Sequence, residues 1–416
     1  MRCLVTGATG YIGGRLVGRL LAEGHRVRCL TRSAGRLRDL PWVGQVEVVE
    51  ADTLNPASLP AAMADVDVVY YLVHALGTGP TFEETDRRSA VAIGDAAREA
   101  GVGRIVYLGG LTPDVPDEAL SPHLRSRHEV GELLLASGVP TAVLQAAMII
   151  GSGSASFEML RYLTERLPAM ITPRWVRSRI QPIAVRDVLR YLVGCATLPA
   201  DVHRRFDIGG PDVLTYREMM QRYAAAAGLP RRVIVPVPVL TPRLSALWVN
   251  VVTPVPSRIA RPLVASLVHE VVCDEHDIAA YVPDPPEGLL GFDRAVELAL
   301  AKIRDHDVET RWSGATWPDA PSDPLPTDPA WAGGSLYTDD RRTPVEAPVD
   351  ALWRVIEGIG GEHGWYSFPL AWAVRGWLDR LVGGVGLRRG RRDPNVLHVG
   401  EALDFWRVEE REPRRL

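Results

Sequence analysis

The stretch that most constrains this chain is its first, Cys3-Leu4-Val5-Thr6-Gly7-Ala8-Thr9-Gly10-Tyr11-Ile12-Gly13-Gly14-Arg15-Leu16. An apolar run that reads as a short buried strand gives way to three glycines at a spacing of three, Gly7, Gly10 and Gly13. Leu16, Val17, Leu20 and Leu21 then recur at helical spacing. Strand, glycine turn and helix together bring backbone N–H groups and a helix N-terminus up to a pyrophosphate. Gly7 permits the turn off the strand, Gly10 lets the backbone approach the phosphates, and Gly13 lets the helix pack closely on the strand. Thr9, Tyr11 and Ile12 complete the candidate phosphate-binding turn. An ordinary tight strand–helix turn is the other reading, and the context of this motif, after a strand and before a helix, weighs against it.

The spacing Thr6-Gly7-x-x-Gly10-x-x-Gly13 differs from the usual dinucleotide fingerprint and resembles the short-chain dehydrogenase/reductase superfamily, in its extended and atypical branches. The segments that follow are consistent with that fold. Strands read at Arg26–Leu30, Val46–Val49, Asp67–Val73, Arg104–Leu108 and Thr141–Leu144, with helical stretches at 82–100 and up to Leu135. Strands alternating with helices at this spacing give an α/β fold with a doubly wound parallel Rossmann sheet. Gln181-Pro182-Ile183-Ala184-Val185-Arg186-Asp187-Val188 and Phe206-Asp207-Ile208-Gly209-Gly210 resemble its closing segments, and Thr215 with Glu218 reads as a capping box. The expected division is an NAD(P)-binding Rossmann domain at 1–230, a smaller substrate-side lobe at 231–312, a Pro/Asp-rich linker at 313–332 and a further domain at 333–416.

After the second strand, Thr31-Arg32-Ser33 stands where an NAD-specific fold would carry an acidic residue for the ribose 2′-hydroxyl. Arg32 suits a 2′-phosphate, with Arg36 and Arg38 near enough to assist, so NADP(H) is the expected cofactor and NAD(H) the second choice. The resemblance adds Asp52 and Thr53 at the adenine, and Leu72 and Val73 at the end of the fourth strand. Active members of the superfamily use a Ser or Thr after the fifth strand and a Tyr-x-x-x-Lys on the next helix. Here the fifth strand runs into Leu108-Gly109-Gly110-Leu111-Thr112, and the dyad positions hold His123 and Arg127. Lys302 is the only lysine of the chain, which excludes a catalytic lysine near the nucleotide. Arg127 is expected to bond ribose hydroxyls. His123 has the residue type for acid–base work near neutral pH, and His74 is a further candidate proton carrier.

The formal net charge of −4 gives no whole-protein attraction to nucleic acid or to an anionic membrane. Four scattered cysteines, Cys3, Cys29, Cys195 and Cys273, read as small buried apolar residues of a reducing, cytoplasmic protein. The glycine motif leaves no room before it for a signal peptide, and no apolar run of about 18 residues is free of charge. The segment 233–272 mixes six prolines with Val, Leu, Ile and Trp248. It reads as an irregular packed lobe, as the wall of an apolar substrate pocket, or as a peripheral membrane contact through Arg243, Arg258 and Arg261. Beyond the linker, Ser335–Tyr337, Arg341–Val345 and Ala402–Val408 look strand-like, and Ala347–Ile356 looks helical. With Trp365, Trp372, Trp377 and Trp406 they resemble an uncharacterised START-like helix-grip domain, shortened here. The tryptophans are read as core rather than cavity lining, and Arg388–Arg392 as a solvated loop.

Two functions stay open at this point. One is an oxidoreductase passing hydride between NADP(H) and an apolar carbonyl, alkene or quinone-like substrate. The other is a non-catalytic NAD(P)H-sensing or assembly module, resembling NmrA-like regulators and the Rossmann-type accessory subunit of respiratory complex I. No residue fixes the oligomeric state.

Overall fold

The computed structural model describes residues 1–38, 40–75, 82–237, 253, 257–305, 308–310, 342–360, 363–381, 395–397, 402, 403, 406–408 and 411. The chain enters through β1 (Arg2–Thr6), α1 (Tyr11–Ala22), β2 (Arg26–Thr31), β3 (Glu47–Glu50), α2 (Leu59–Met63), β4 (Val68–Tyr71), α3 (Phe82–Glu99), β5 (Arg104–Gly110), α4 (Pro122–Leu135) and β6 (Thr141–Ala146). It continues through β7 (Met148–Ile150), α5 (Ala155–Arg166), β8 (Ala169–Thr172), β9 (Arg179–Ile180), β10 (Pro182–Ala184), α6 (Val185–Gly194) and β11 (Arg204–Ile208). Seven strands form one sheet in the order β11-β6-β5-β4-β1-β2-β3, and each neighbouring pair is parallel.

These strands are continuous apolar runs because both faces of the sheet are covered. Cys3 and Val5 of β1 point into a core shared with Leu16, Val17 and Leu20 of α1 and Val188, Leu189 and Leu192 of α6. Leu4 points the other way, into a core with Leu59 of α2, Ile93 of α3 and Leu134 of α4. Burying each such leucine contributes on the order of 2 kcal/mol. The chain leaves β1 toward β2 on one side, while β4 lies on the other, so a crevice opens beyond the C-terminal ends of β1 and β4. Ligands of open α/β sheets bind at this switch point.

A further core joins Leu111, just after β5, to residues from Met148 to Ala299 in the elements beyond β6. To those given above it adds β12 (Leu214–Thr215), α7 (Tyr216–Ala226), β13 (Val233–Pro236), α8 (Ser257–Ser266) and α9 (Phe292–Arg304). Three small ladders tie it together: β7 with β10, β8 with β13 and β9 with β12. The capping box stands at the start of α7. Thr215 Oγ1 accepts from the Glu218 amide at 3.2 Å, and the Thr215 amide donates to Glu218 Oε2 at 2.7 Å. Within the proline-rich stretch, α8 forms around an internal Pro262, whereas 238–252 and 254–256, with Arg243 and Trp248, lie outside the described residues. Burial pushes the Cys3 thiol up to about 11 and those of Cys29, Cys195 and Cys273 up to about 12, so none supplies a thiolate near neutral pH.

Beyond the linker the described residues form α10 (Val349–Glu357), α11 (Pro369–Leu381) and a two-residue antiparallel ladder of β14 (Ala402–Leu403) and β15 (Trp406–Arg407). The expected helix-grip sheet is not found among them. Arg342–Val345 is irregular rather than strand-like, and 313–332, Ser335–Tyr337 and Arg388–Arg392 lie outside the described residues. Of the tryptophans read as core, Trp365 is half-buried against Leu397, Leu403 and Val408 and stacks on half-buried Trp372 with centroids 5.3 Å apart, Trp377 is 59% exposed, and the Trp406 side chain lies outside the described residues. Among the described residues no helix is long and apolar enough to cross a membrane.

Candidate active site

A cavity of about 520 Å³ opens at the switch point. Gly7, Thr9, Gly10, Tyr11, Ile12, Gly13, Arg32, Asp52, Thr53, Leu72, Val73, His123 and Arg127 all line it, and so does His74. The glycine turn is built as its spacing demands. Gly7 has φ +71°, in the region open to glycine, and the Gly10 amide donates back to its carbonyl at 2.9 Å. A Cβ on Gly7 would meet the Leu72 carbonyl oxygen at 2.8 Å, and one on Gly13 would stand 2.2 Å from the Gly7 oxygen. Thr6 Oγ1 donates to the Tyr70 carbonyl at 3.1 Å and accepts the Leu72 amide at 3.0 Å, holding the ends of β1 and β4 in register around the turn.

The start of α1 suits an anion. Gly10 at its N-cap brings no side-chain cap, and the first turn carries no acidic residue, so its amides and dipole meet no competing negative group there. Tyr11 contributes through its backbone. Its ring lies under the Arg15 guanidinium at 4.8 Å, and its buried hydroxyl, without a hydrogen-bond partner, points at Gly151. Asp52 is held in a tight turn by the Leu54 amide, which donates to Oδ1 at 2.9 Å. Arg32 lines the cavity just past β2; Arg36 and Arg38, expected to assist it, do not. A glycine cradle that side chains would fill, an uncapped helix start and an arginine at the ribose position fit a phosphorylated dinucleotide.

The two candidate catalytic residues are positioned by α4. Ser121 caps it, accepting the Leu124 amide at 3.3 Å, and Pro122 occupies the first turn. That places His123 in the first turn and Arg127 one turn on, on the same face. His123 Nδ1 stands 3.3 Å from Nε2 of His74, which follows β4. His74 Nδ1 stands 2.8 Å from Oδ2 of Asp86 on α3. Asp86 is 2% exposed; it also accepts the Ala75 amide at 2.7 Å and the Ser126 hydroxyl at 2.8 Å. Burial works to raise the Asp86 carboxyl, but the His74 ring, the Ala75 amide and the Ser126 hydroxyl hold it below its ordinary range. Burial, then the nearby His74 and Arg127, push His123 well below its ordinary value, against the pull of Asp86. These effects favour the neutral imidazole in His123, the group expected from the sequence to work near neutral pH unaided.

Arg127 lines the cavity, and its guanidinium lies 4.9 Å over the Tyr107 ring and donates to the Leu108 carbonyl. Thr112, the near-match to the family hydroxyl, is not among the lining residues; Gln145 Nε2 donates to its Oγ1 at 3.1 Å. Gly109 and Gly110 take that place in the lining. Asp86 went unnoticed in the sequence because nothing distinguishes it there from any other acidic residue on an exposed helix. Its burial is a property of the pairing of α3 with α4.

The far part of the cavity comes from the core beyond β6: Met159, Leu160, Leu163, Trp175, Met220 and Leu263. Among the described lining residues after β6 none is charged, and the hydroxyls are those of Ser154, Ser156, Ser266 and Tyr216. Leu263, Val264, Leu267 and Val271 lie inside the 233–272 stretch, which thus supplies a pocket wall.

A family model described as NAD(P)H-binding matches residues 7–158, and one described as Protein of unknown function (DUF2867) matches residues 331–416. The chain is 30% identical over 236 residues to the (4-alkanoyl-5-oxo-2,5-dihydrofuran-3-yl)methyl phosphate reductase of Streptomyces griseus, covering 55% of this chain and 75% of that protein. It is 27% identical over 234 residues to the NAD(P)H azoreductase of Xenophilus azovorans, covering 56% and 76%. The crystal structure of Citrobacter sp. triphenylmethane reductase complexed with NADP(H) superposes with a TM-score of 0.56 at 20% identity, over 72% of this chain and 100% of that one, which shows the shared fold. With its glycine turn and parallel sheet, and with this kinship to a reductase over three quarters of that protein's length, the chain belongs to the NAD(P)H-binding Rossmann oxidoreductases of the atypical short-chain dehydrogenase/reductase type.

Proposed function

We propose that the protein reduces an apolar carbonyl, alkene or quinone-like substrate with NADPH, and that His123 delivers the proton. The observation that supports this most is the composition of the cavity: a phosphate-binding turn and two facing histidines share it with a chamber that carries no charge among its described residues. An uncharged chamber disfavours a phosphorylated or sugar-nucleotide substrate, whose anionic groups would be desolvated there without a partner. The first turn of α1 would hold the pyrophosphate, Arg32 the 2′-phosphate, Asp52 and Thr53 the adenine side, and Leu72, Val73 and Arg127 the nicotinamide side. When bound, the dihydronicotinamide supplies the hydride. The apolar wall excludes water and packs the substrate, and His123 gives a proton to the developing oxygen or carbon anion.

A second reading, a non-catalytic nucleotide-sensing module, draws on the replacement of the family Tyr and Lys by His123 and Arg127. A panel of quinones, enones and aromatic ketones, with nicotinamide absorbance followed in time, separates the two. Oxidation of NADPH that is lost in His123→Phe, with NADPH affinity unchanged, is the expected result. A cofactor that stays bound and unreacted across the panel overturns the enzyme reading.

A further inference from the structure

A half-buried histidine held neutral is a poor proton donor if it must first become an imidazolium. The groups around His123 remove that requirement. Asp86 accepts from the His74 Nδ1 side at 2.8 Å, and a carboxylate only accepts, so Nδ1 of His74 carries a proton throughout. The protonation of His74 can then change only at Nε2, the atom 3.3 Å from His123 Nδ1. A hydrogen bond between two ring nitrogens needs one proton between them, neither two nor none.

We propose that Asp86, His74 and His123 form a proton relay in which the histidine pair stores one exchangeable proton on His74, against Asp86, and passes it to His123 as His123 releases its own. This rests on the reading of His123 as the group that protonates substrate. With the pair neutral, the bridging proton belongs to His123 Nδ1, and His123 Nε2 is a bare acceptor. With one proton added, the bridging proton belongs to His74 Nε2, and His123 Nε2 carries a hydrogen. The extra charge sits beside the Asp86 carboxylate, and His123 is never a cation. Among the described residues the other charged or titratable group set against His123 is Arg127 on its own helix, which also opposes a charge on His123. Helix α8 meets α4 through Ser266 Oγ and Ser121 Oγ, 2.8 Å apart, a neutral contact.

The step balances. His123 Nε2–H and His74 Nε2–H break, His123 Nδ1–H and one bond from hydrogen to the substrate form, and one proton leaves the pair, to be replaced from water. Asp86 and His74 are positioning residues in this scheme, since neither needs to touch substrate. The Ala75 amide and the Ser126 hydroxyl fix the carboxylate so that one oxygen faces the ring.

The test is nitrogen-15 NMR of labelled histidine in the full-length cofactor-free protein as a function of pH, so that it does not depend on turnover. His123 should change tautomer, from Nε2–H to Nδ1–H as pH rises, with the midpoint at which His74 loses its charge. Asp86→Asn should uncouple the tautomer change of His123 from the charge on His74, and Asp86→Glu should restore the coupling. Should Asp86→Asn fail to fold, Ser126→Ala, which keeps the charge but frees the carboxylate, should weaken that coupling. A His123 that keeps one tautomer throughout, or that titrates with a midpoint unrelated to His74, overturns the relay. If the switch is present in a protein that turns over no substrate, the relay stands and the enzyme reading falls. Turnover without the switch defeats the relay alone.

Discussion

Gly13 approaches Gly7 so closely that a side chain on it would place Cβ 2.2 Å from the Gly7 carbonyl oxygen and 2.8 Å from its carbon. Both are backbone atoms of the turn that meets the phosphates, so relief requires moving the turn or the helix. Gly13→Ala is expected to cost about 3 kcal/mol and to abolish nucleotide binding. Thermal denaturation and an NADPH titration check the two effects separately. A variant of wild-type stability that still binds would mean that α1 and the turn move independently.

Arg32 lines the cavity where the 2′-phosphate of NADPH is expected. Its replacement by alanine should weaken NADPH binding and leave NADH nearly unaffected. A charge-assisted contact of about 1.5–3 kcal/mol corresponds to roughly a 10- to 150-fold loss. Equal loss for the two nucleotides would assign Arg32 to the adenine rather than to the phosphate.

Thr310 closes over the start of α1. Its hydroxyl donates to the Tyr11 carbonyl at 2.7 Å and accepts from Arg15 Nε at 2.9 Å, and its methyl sits where a Gly14 side chain would be. Arg15 is 7% exposed, with the Ser152 carbonyl as its other close partner at 2.9 Å. Thr310→Val keeps the shape and leaves Arg15 Nε unpaired, so it should cost about 1–3 kcal/mol, read as a shifted midpoint in urea. No shift would mean that water replaces the hydroxyl.

The depressed His123 gives a pH dependence with a definite sign. The unfolded chain takes up a proton on this residue as pH falls through its ordinary value of 6.5, and the folded site resists it until well below. Stability falls wherever the unfolded state binds more protons, so this group destabilises the fold progressively as pH drops below 6.5. Asp86 acts in a lower window: its depressed carboxyl keeps its stabilising effect until pH drops below the ordinary 3.8. His123→Phe should therefore flatten the loss of melting temperature between about pH 7 and pH 5 and leave the loss at lower pH in place. A parent and variant with parallel profiles would contradict the burial of His123.

The legible parts of this molecule were those whose cause is local. The three glycines, the alternation of strands and helices and the Thr215–Glu218 capping box depend on neighbours a few residues apart, and each stands in the structure where its spacing put it. The resemblance of the His123 and Arg127 positions to a family dyad points to the cavity wall, where both stand, but not to their state. Asp86 lies 37 residues before His123, and only the packing of α3 on α4 makes it a buried anchor. Thr112 and Arg127 show the same limit: their orientations were decided by Gln145 and by the Tyr107 ring, which no spacing reveals. In the proline-rich stretch, composition left three alternatives, and only the placement of Leu263, Val264 and Leu267 in the lining favoured one of them.

The central claim is that the glycine turn and Arg32 bind a phosphorylated nicotinamide nucleotide. Its most direct test is equilibrium titration of the purified protein with NADPH and with NADH, followed by nucleotide fluorescence. The account predicts saturable binding of one NADPH per chain, tighter than NADH. Absence of binding by either nucleotide would contradict it and leave the turn as architecture without a ligand.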